Sequence, residues 1–340
     1  SAAPAKEPTP AKKAPAKKKA PEKDPSSFGD KITALMAASP GQPVLVDAES
    51  IDELWSVPRH YLPTGSIAID AAIGGRGGLP SGRLTEIFGP ENIGKTTAAA
   101  SLIVQTQRMG GLPVVVDSEH KMDLKRLAHL GVNLKNMPFE QVRTIEQVFE
   151  VFKHWGPKAR ASFGDDVPIL FVWDSVAGTP TAAEFAAKTE QKFQAEAAKV
   201  LKQQLRACAQ IIAQNQIVFV VTNQVYAKMS GAFYGPDTET YGGGAIKYHA
   251  TIRIGLRFAG QLKPPGATPE DRVAPVGQLI EAKVVKNQIA APWRWRKYAL
   301  RYDAGIDNVW SLFEELRPHG VIEAAGSWFR LSQEVQDTSA

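Results

Sequence analysis

Short runs rich in β-branched residues recur along this chain at "RLTEIFG", "LPVVVDSE", "VPILFVWDS" and "IVFVVTNQ", separated by longer stretches with helical periodicity. The clearest helix carries Phe193, Ala197, Val200, Leu201, Leu205, Cys208 and Ile212 on one face. A strand that is apolar along its whole length has to be covered on both faces. Such strands, joined by helices, satisfy that demand as a parallel sheet between two helical layers. The pattern begins near residue 61 and predicts an α/β fold. Further on, "ATIRIGLRFAG", "GQLIEAKVVKN" and "KYALRYDAG" read as strands with no helix between them, so the sheet is expected to gain antiparallel members.

One junction in this alternation carries chemistry. The strand "RLTEIFG" runs into "GPENIGKTT", which opens the helical run "TTAAASLIVQTQ". Two glycines bracket four residues, and a lysine and a threonine follow. Between a strand and a helix, that spacing builds a phosphate cradle. Gly89 and Gly94 let the backbone wrap so that its N–H groups, with the helix N-terminus, face phosphate oxygens. Pro90, Glu91, Asn92, Ile93 and Thr97 complete the loop, Lys95 supplies charge, and the Thr96 hydroxyl suits Mg²⁺. Other strand ends add polar groups at the edge where ligands bind in open α/β sheets. "ILFVWDS" ends in Asp174, a second Mg²⁺-side group. "VVVDSEH" offers Asp117 and Glu119, which two-residue spacing puts on one strand face, and a carboxylate there can deprotonate a water. "FVVTNQ" places Asn223 and Gln224 on the same edge. Together they predict a nucleotide hydrolase.

Composition sets the frame. The 340 residues are 44% hydrophobic and 22% charged, enough for one large domain with appendages. No apolar run has the length of a transmembrane helix, and the lysine-bearing N-terminal residues lack the apolar core of a secretory signal. Cys208 is the single cysteine, which excludes an intramolecular disulfide and fits a reducing cytoplasm. Of the net charge of +5, residues 1–25 carry +4, in seven lysines opposed by Glu7, Glu22 and Asp24. This Ala/Pro/Lys tail has nothing to bury and is expected to be disordered, either as a linker or as a DNA tether. The nearly neutral remainder must bind nucleic acid, if it does, through local patches. Within residues 26–60, Phe28, Ile32, Leu35 and Met36 share one helical face.

The run "TGSIAIDAAIGGRGGLPSGRLTEIFGPENIGKTT", with "DSEH", "WDSVAG", "TNQ", "YGGGAIKYHATIR" and "KVVKNQIAAPW", resembles the bacterial and phage RecA-type recombinases from about residue 62 to residue 331. The resemblance implies a RecA-like P-loop ATPase core over residues 61–303, with a central, mostly parallel twisted sheet flanked by helices. It implies an oligomerisation helix in residues 26–60 and a shortened C-terminal region over 304–340, where the family's acidic tail is missing. The implied activity is an ATP- and Mg²⁺-dependent ATPase that forms a helical filament on single-stranded DNA and exchanges strands with homologous double-stranded DNA. Single-strand-binding and mediator proteins are candidate partners, and no membrane is involved.

By position, the resemblance makes Glu119 the water-activating base, and Thr96 and Asp174 the metal-side groups. Gln224 becomes the sensor of the terminal phosphate, and Asp123, Arg126 and Tyr302 become adenine contacts. Arg126 replaces the family's usual aromatic residue, and guanidinium stacking can serve instead. Two segments match DNA-binding loops. The first, about 178–192, carries Lys188 and Lys192. The second, about 225–244, carries Tyr226, Lys228, Met229, Phe233, Tyr234, Gly242 and Gly243, and its length and aromatic residues suit stacking on bases. Lys286, Asn287, Gln288 and Tyr248 match positions facing a neighbouring subunit. Gln288 replaces a family lysine, and Tyr248 replaces a phenylalanine. A ring-shaped motor of the same fold and a non-catalytic strand-coating protein share parts of this pattern. Trp293 and Trp295 are expected to pack on a strand edge, His120 to be structural, and Cys208 to be core.

Overall fold

The computed structural model describes residues 32, 36, 39, 54, 56–74, 76–187, 194–227, 238–268, 271–325 and 328–332. Contacts divide the chain into Ser1–Ile51 and Asp52–Ala340. In the first unit Ile32 and Met36 are helical. The basic segment 1–25, Phe28 and Leu35 lie outside the described residues.

The second unit alternates strand and helix in chain order. Its first half comprises β1 (Tyr61–Leu62), α1 (Ile67–Ile73), β2 (Leu79–Pro80), β3 (Arg83–Gly89), α2 (Lys95–Arg108), β4 (Leu112–Asp117), α3 (Leu124–His129), β5 (Phe139–Gln141), α4 (Ile145–Phe163) and β6 (Ile169–Asp174). Then come α5 (Ala182–Ala186), α6 (Gln194–Gln214), β7 (Ile217–Ala227), β8 (Thr238–Thr240), α7 (Gly244–His249), β9 (Ile252–Leu262), β10 (Gly277–Asn287), β11 (Trp295–Arg301), β12 (Gly305–Asp307), α8 (Asn308–Leu316), β13 (Ile322–Ala325) and β14 (Trp328–Leu331).

The main sheet has the order β12-β11-β10-β9-β3-β7-β6-β4-β5. From β9 to β5 every pairing is parallel, and β10, β11 and β12 extend it antiparallel. This is the expected α/β fold, with a mostly parallel sheet flanked by helices. Alternate residues of the central strands enter opposite cores, as a period of two requires. Leu170 and Val172 of β6 join Leu102 and Ile103 of α2 on one side. Ile169, Phe171 and Trp173 join Phe149 and Phe152 of α4, and Leu201, Leu205 and Cys208 of α6, on the other. Cys208 is fully buried. Among the described residues no helix is long and apolar enough to cross a membrane.

Register then sets the site. Phe88 and Gly89 lie level with Asn223 and Gln224, and Asp117 lies level with Asp174. Because these strands run parallel, their carboxyl ends share one edge of the sheet. β3 leads through α2 to β4, which sits beyond β7 and β6. That jump opens the crevice where open α/β sheets take ligands.

On the antiparallel side, Tyr298 is fully buried. Its hydroxyl has no hydrogen-bonding partner among the described residues, and burial pushes its pKa up. A desolvated hydroxyl without a partner costs about 1–3 kcal/mol. Tyr298→Phe is therefore expected to raise stability by about 1 kcal/mol, read as a higher urea midpoint. A lower midpoint would show that the hydroxyl is satisfied.

Candidate active site

The candidate phosphate loop takes its form from two glycines. Gly94 precedes α2 at φ 93°, in the left-handed region, and a Cβ there would lie 2.5 Å from Leu300 Cδ1. Gly89 closes β3 so tightly that a Cβ would meet the Leu256 carbonyl at 2.7 Å. Lys95 opens the helix with its side chain buried, donating to the carbonyls of Gly89 at 3.0 Å and Pro90 at 2.6 Å. Burial lowers its pKa, while the charges of Asp174, Glu119 and Glu91 favour its ammonium form. Pro90, Glu91 and Asn92 are exposed, Thr97 is half-buried and Ile93 is buried.

Asp174 ends β6 beside this loop. Its Oδ2 accepts from Thr96 Oγ1 at 2.7 Å, and its Oδ1 accepts from the Thr222 hydroxyl. Burial is the main cause raising its pKa; the two hydroxyl bonds oppose that, and the Glu119 and Asp117 charges add to it. A hydroxyl and a carboxylate side by side form a hard oxygen donor pair of the kind Mg²⁺ takes. The residues present therefore fit that ion.

Glu119 and Asp117 do not share a strand face. β4 ends at Asp117, which is buried and accepts from the Met122 N–H at 3.2 Å. Glu119 lies past the strand end, where the Ser175 hydroxyl donates to its Oε1 and Lys121 stands 3.4 Å from its Oε2. Space for it is left by Gly178, where a Cβ would come within 2.3 Å of Glu119 Cγ. The fourth strand also differs from expectation. β7 does not end at "TNQ" but runs on to Ala227, because β8 pairs with Val225–Ala227. Asn223 is drawn inward. Its Nδ2 donates to Glu86 Oε1 at 2.8 Å and to the Tyr241 carbonyl at 3.0 Å, and its Oδ1 accepts from the Gln224 N–H. Gln224 is half-buried, level with Gly89.

On the far side of the loop, Asp123 caps α3, its Oδ1 accepting from the Lys125 and Arg126 N–H groups. Arg126 Nη1 donates to the Tyr302 carbonyl at 3.1 Å, which joins two expected adenine contacts from distant parts of the chain. The Tyr302 side chain is exposed.

The candidate subunit-facing residues have partners within the chain. Lys286 Nζ donates to the carbonyls of Lys247 at 2.8 Å and Tyr248 at 3.1 Å, capping α7. Asn287 pins a turn: its Nδ2 donates to the Ile73 carbonyl, and its Oδ1 accepts from the Ile289 and Ala290 N–H groups. Gln288 is exposed, and Tyr248, at 78% exposure, is among the most accessible large side chains.

Lys188, Lys192, Lys228, Met229, Phe233 and Tyr234 lie outside the described residues. Tyr226 is exposed on β7. Gly242 and Gly243 turn into α7 at φ 80° and 59°. Sequence reasoning missed Lys199, Lys202 and Arg206, because α6 was legible only through its apolar face. Together with Tyr248 and His249 they line a groove of about 980 Å³ between α6 and α7. The signal was their spacing of three and four, which places them on one side of a helix. A second omission is the buried pair of Glu86 and Arg253, with Nε 2.5 Å from Oε2. Arg253 also donates to Thr240 Oγ1 and lies over the Phe88 ring. Trp295 opens β11 opposite Lys283, whereas Trp293 does not lie on a strand as expected. Trp293 and Trp295 are 63% and 51% exposed, and Trp293, at φ 70°, leaves the strand line with the Lys283 amine over its ring.

The profile of the RecA N-terminal domain matches residues 51–307. Protein RecA of Thermus thermophilus is 37% identical over 283 residues, covering 82% of this chain and 79% of the relative. Protein RecA of Thermotoga neapolitana is 36% identical and covers 82% and 75%; that of Brucella anthropi is 34% identical and covers 79% and 70%. The profile spans the phosphate loop, Glu119, Asp174, the α6–α7 groove and the antiparallel strands alike, and on these matches the chain belongs to the RecA family.

Proposed function

We propose that this chain is a DNA recombinase: an ATPase stimulated by single-stranded DNA that works as a helical filament and exchanges strands with homologous duplex. The observation that carries the reading is the hydrogen bond of Thr96 to Asp174 beside the buried Lys95. It joins a phosphate loop to a metal-side carboxylate from a strand 78 residues on. Lys95 exchanges the Gly89 and Pro90 carbonyls for outer phosphate oxygens of ATP. Thr96 and Asp174 would hold Mg²⁺, which would neutralise phosphate charge. Glu119, oriented by the Ser175 hydroxyl, accepts the proton of the attacking water. Gln224 transmits the presence of the terminal phosphate along β7 to the β7–β8 ribbon. Arg126 and Tyr302 flank the adenine.

DNA follows the basic groove of Lys199, Lys202 and Arg206, with the loops about 178–192 and 225–244 completing the contact. Lys286, Tyr248 and Gln288 face the adjoining copy of the chain. Single-strand-binding and mediator proteins act on the filament, the cytoplasm is its compartment, and the tail 1–25 adds salt-dependent affinity.

Lys95→Ala tests the reading. Removing a preorganised charge aimed at developing phosphate charge costs about 10²–10³-fold in rate. DNA-stimulated phosphate release by this variant is expected to fall at least that far. Near-normal release would mean that the phosphate loop is misassigned. Electron microscopy with single-stranded DNA and a non-hydrolysable ATP analogue should show filaments, whereas rings would favour a motor of the same fold.

A further inference from the structure

We infer that Gln278 is a positioning residue for nucleotide binding, holding the apex of the phosphate loop from β10; this rests on the ATPase reading above. The side chains of β10 alternate, and Ile280, Ala282 and Val284 form its core-facing set. Gln278 continues that register and is itself only 8% exposed. A glutamine at a core-facing position has to find partners, because a buried amide without them is costly. Its Nε2 donates to the Asn92 carbonyl at 3.0 Å.

That bond decides a direction. Asn92 is a non-glycine residue at φ 58°, a conformation that needs support from its surroundings. A trans peptide points its C=O and its N–H to opposite sides. Drawing the Asn92 carbonyl toward β10 therefore turns the Ile93 N–H away from β10, toward the interior of the loop. Lys95 holds the Pro90 carbonyl from inside the loop, the contact that phosphate would replace, so this outward tether is particular to Asn92. Among the described residues, no protein group accepts from the Ile93 N–H. A carbonyl tethered outward leaves the amide that follows it free for an anion. Leu256, Ile280 and Leu300, which crowd Gly89 and Gly94, form the rest of the same wall, so β9, β10 and β11 back the loop together.

Two variants of Gln278 separate donation from packing. Gln278→Met keeps length and removes the donor. Gln278→Glu keeps shape but at neutral pH only accepts, and it adds charge beside the phosphates. Urea midpoints identify folded variants before binding is measured. Calorimetric titration of the whole chain with a non-hydrolysable ATP analogue is expected to show affinity reduced about three- to tenfold for Gln278→Met, the size of one neutral hydrogen bond. Gln278→Glu should lose more. Turnover at saturating ATP should fall far less than affinity, because the loop reaches its bound form once filled. If both variants bind as tightly as the parent chain, the assignment is wrong and the loop holds its own form. Turnover falling in step with affinity would also overturn it. A parent chain that binds no ATP would instead refute the nucleotide reading itself.

Discussion

Glu119→Gln is expected to lower DNA-stimulated ATP turnover by about 10²–10⁴-fold, the usual contribution of a general base, while ATP and DNA binding survive. Glutamine keeps the shape of the side chain and can still accept from the Ser175 hydroxyl that orients Oε1, but its amide takes no proton at neutral pH. On the proposed reading, in which ATP binding assembles the filament and hydrolysis releases it, filaments of this variant should form and persist. The geometry supplies a second handle on the same group. Gly178 faces Glu119 Cγ with no room for a Cβ, so Gly178→Ala should displace the carboxylate and slow turnover without touching its chemistry. Phosphate release and filament lifetime on single-stranded DNA are the measurements. A fall of less than about threefold for Glu119→Gln, well short of what a base contributes, would place proton transfer elsewhere. Asp117 is a poor substitute, being buried and committed to the Met122 N–H.

The second large effect concerns stability. Glu86 is wholly buried, three residues before the phosphate loop, and Arg253 of β9 is its charge partner. Removing one member of a buried ion pair strands the other in a low-dielectric interior and costs about 3–5 kcal/mol. Arg253→Ala should lose stability on that scale, since the remaining hydrogen bond from Asn223 brings Glu86 no charge. It also gives up the stacking of the guanidinium over Phe88, 4.7 Å from the ring centroid. The paired change Glu86→Leu with Arg253→Met should be markedly less destabilising, because it leaves no orphan charge. Urea unfolding of the three proteins decides the matter. A cost below about 1 kcal/mol for Arg253→Ala would place the pair on the scale of a surface salt bridge. If the double change were as costly as the single one, packing rather than charge would account for the loss.

Much of the site was legible because its signals are local. The phosphate loop is one contiguous segment, and Gly89, Gly94, Lys95 and Thr96 announce a backbone shape and a charge without reference to anything distant. Asp174 could be placed because strand ends are visible in hydrophobic periodicity, and parallel strands put their carboxyl ends on one edge. Cys208 followed from the apolar stripe of its helix. The antiparallel strands followed from the missing helices. Each of these inferences uses spacing within one element or the order of elements, and the chain writes both directly.

Tertiary structure alone decided which polar groups face the crevice at the sheet edge and which face one another. Asn223 and Gln224 are adjacent in sequence, yet Asn223 is taken into the interior by Glu86, 137 residues away. The strand carrying them outlasts its apparent end because β8 returns to pair with it, a pairing that no local propensity encodes. Asp117 and Glu119 share a strand spacing but not a strand, since the turn after β4 begins between them. Lys199, Lys202 and Arg206 are ordinary solvated cations on a helix until α7 closes a groove beside them. Gln278 is one more glutamine until strand register sets it against a carbonyl 186 residues earlier. Periodicity within an element is written along the chain, whereas contacts between elements depend on sheet order, register and packing, which exist only once the whole sheet has formed.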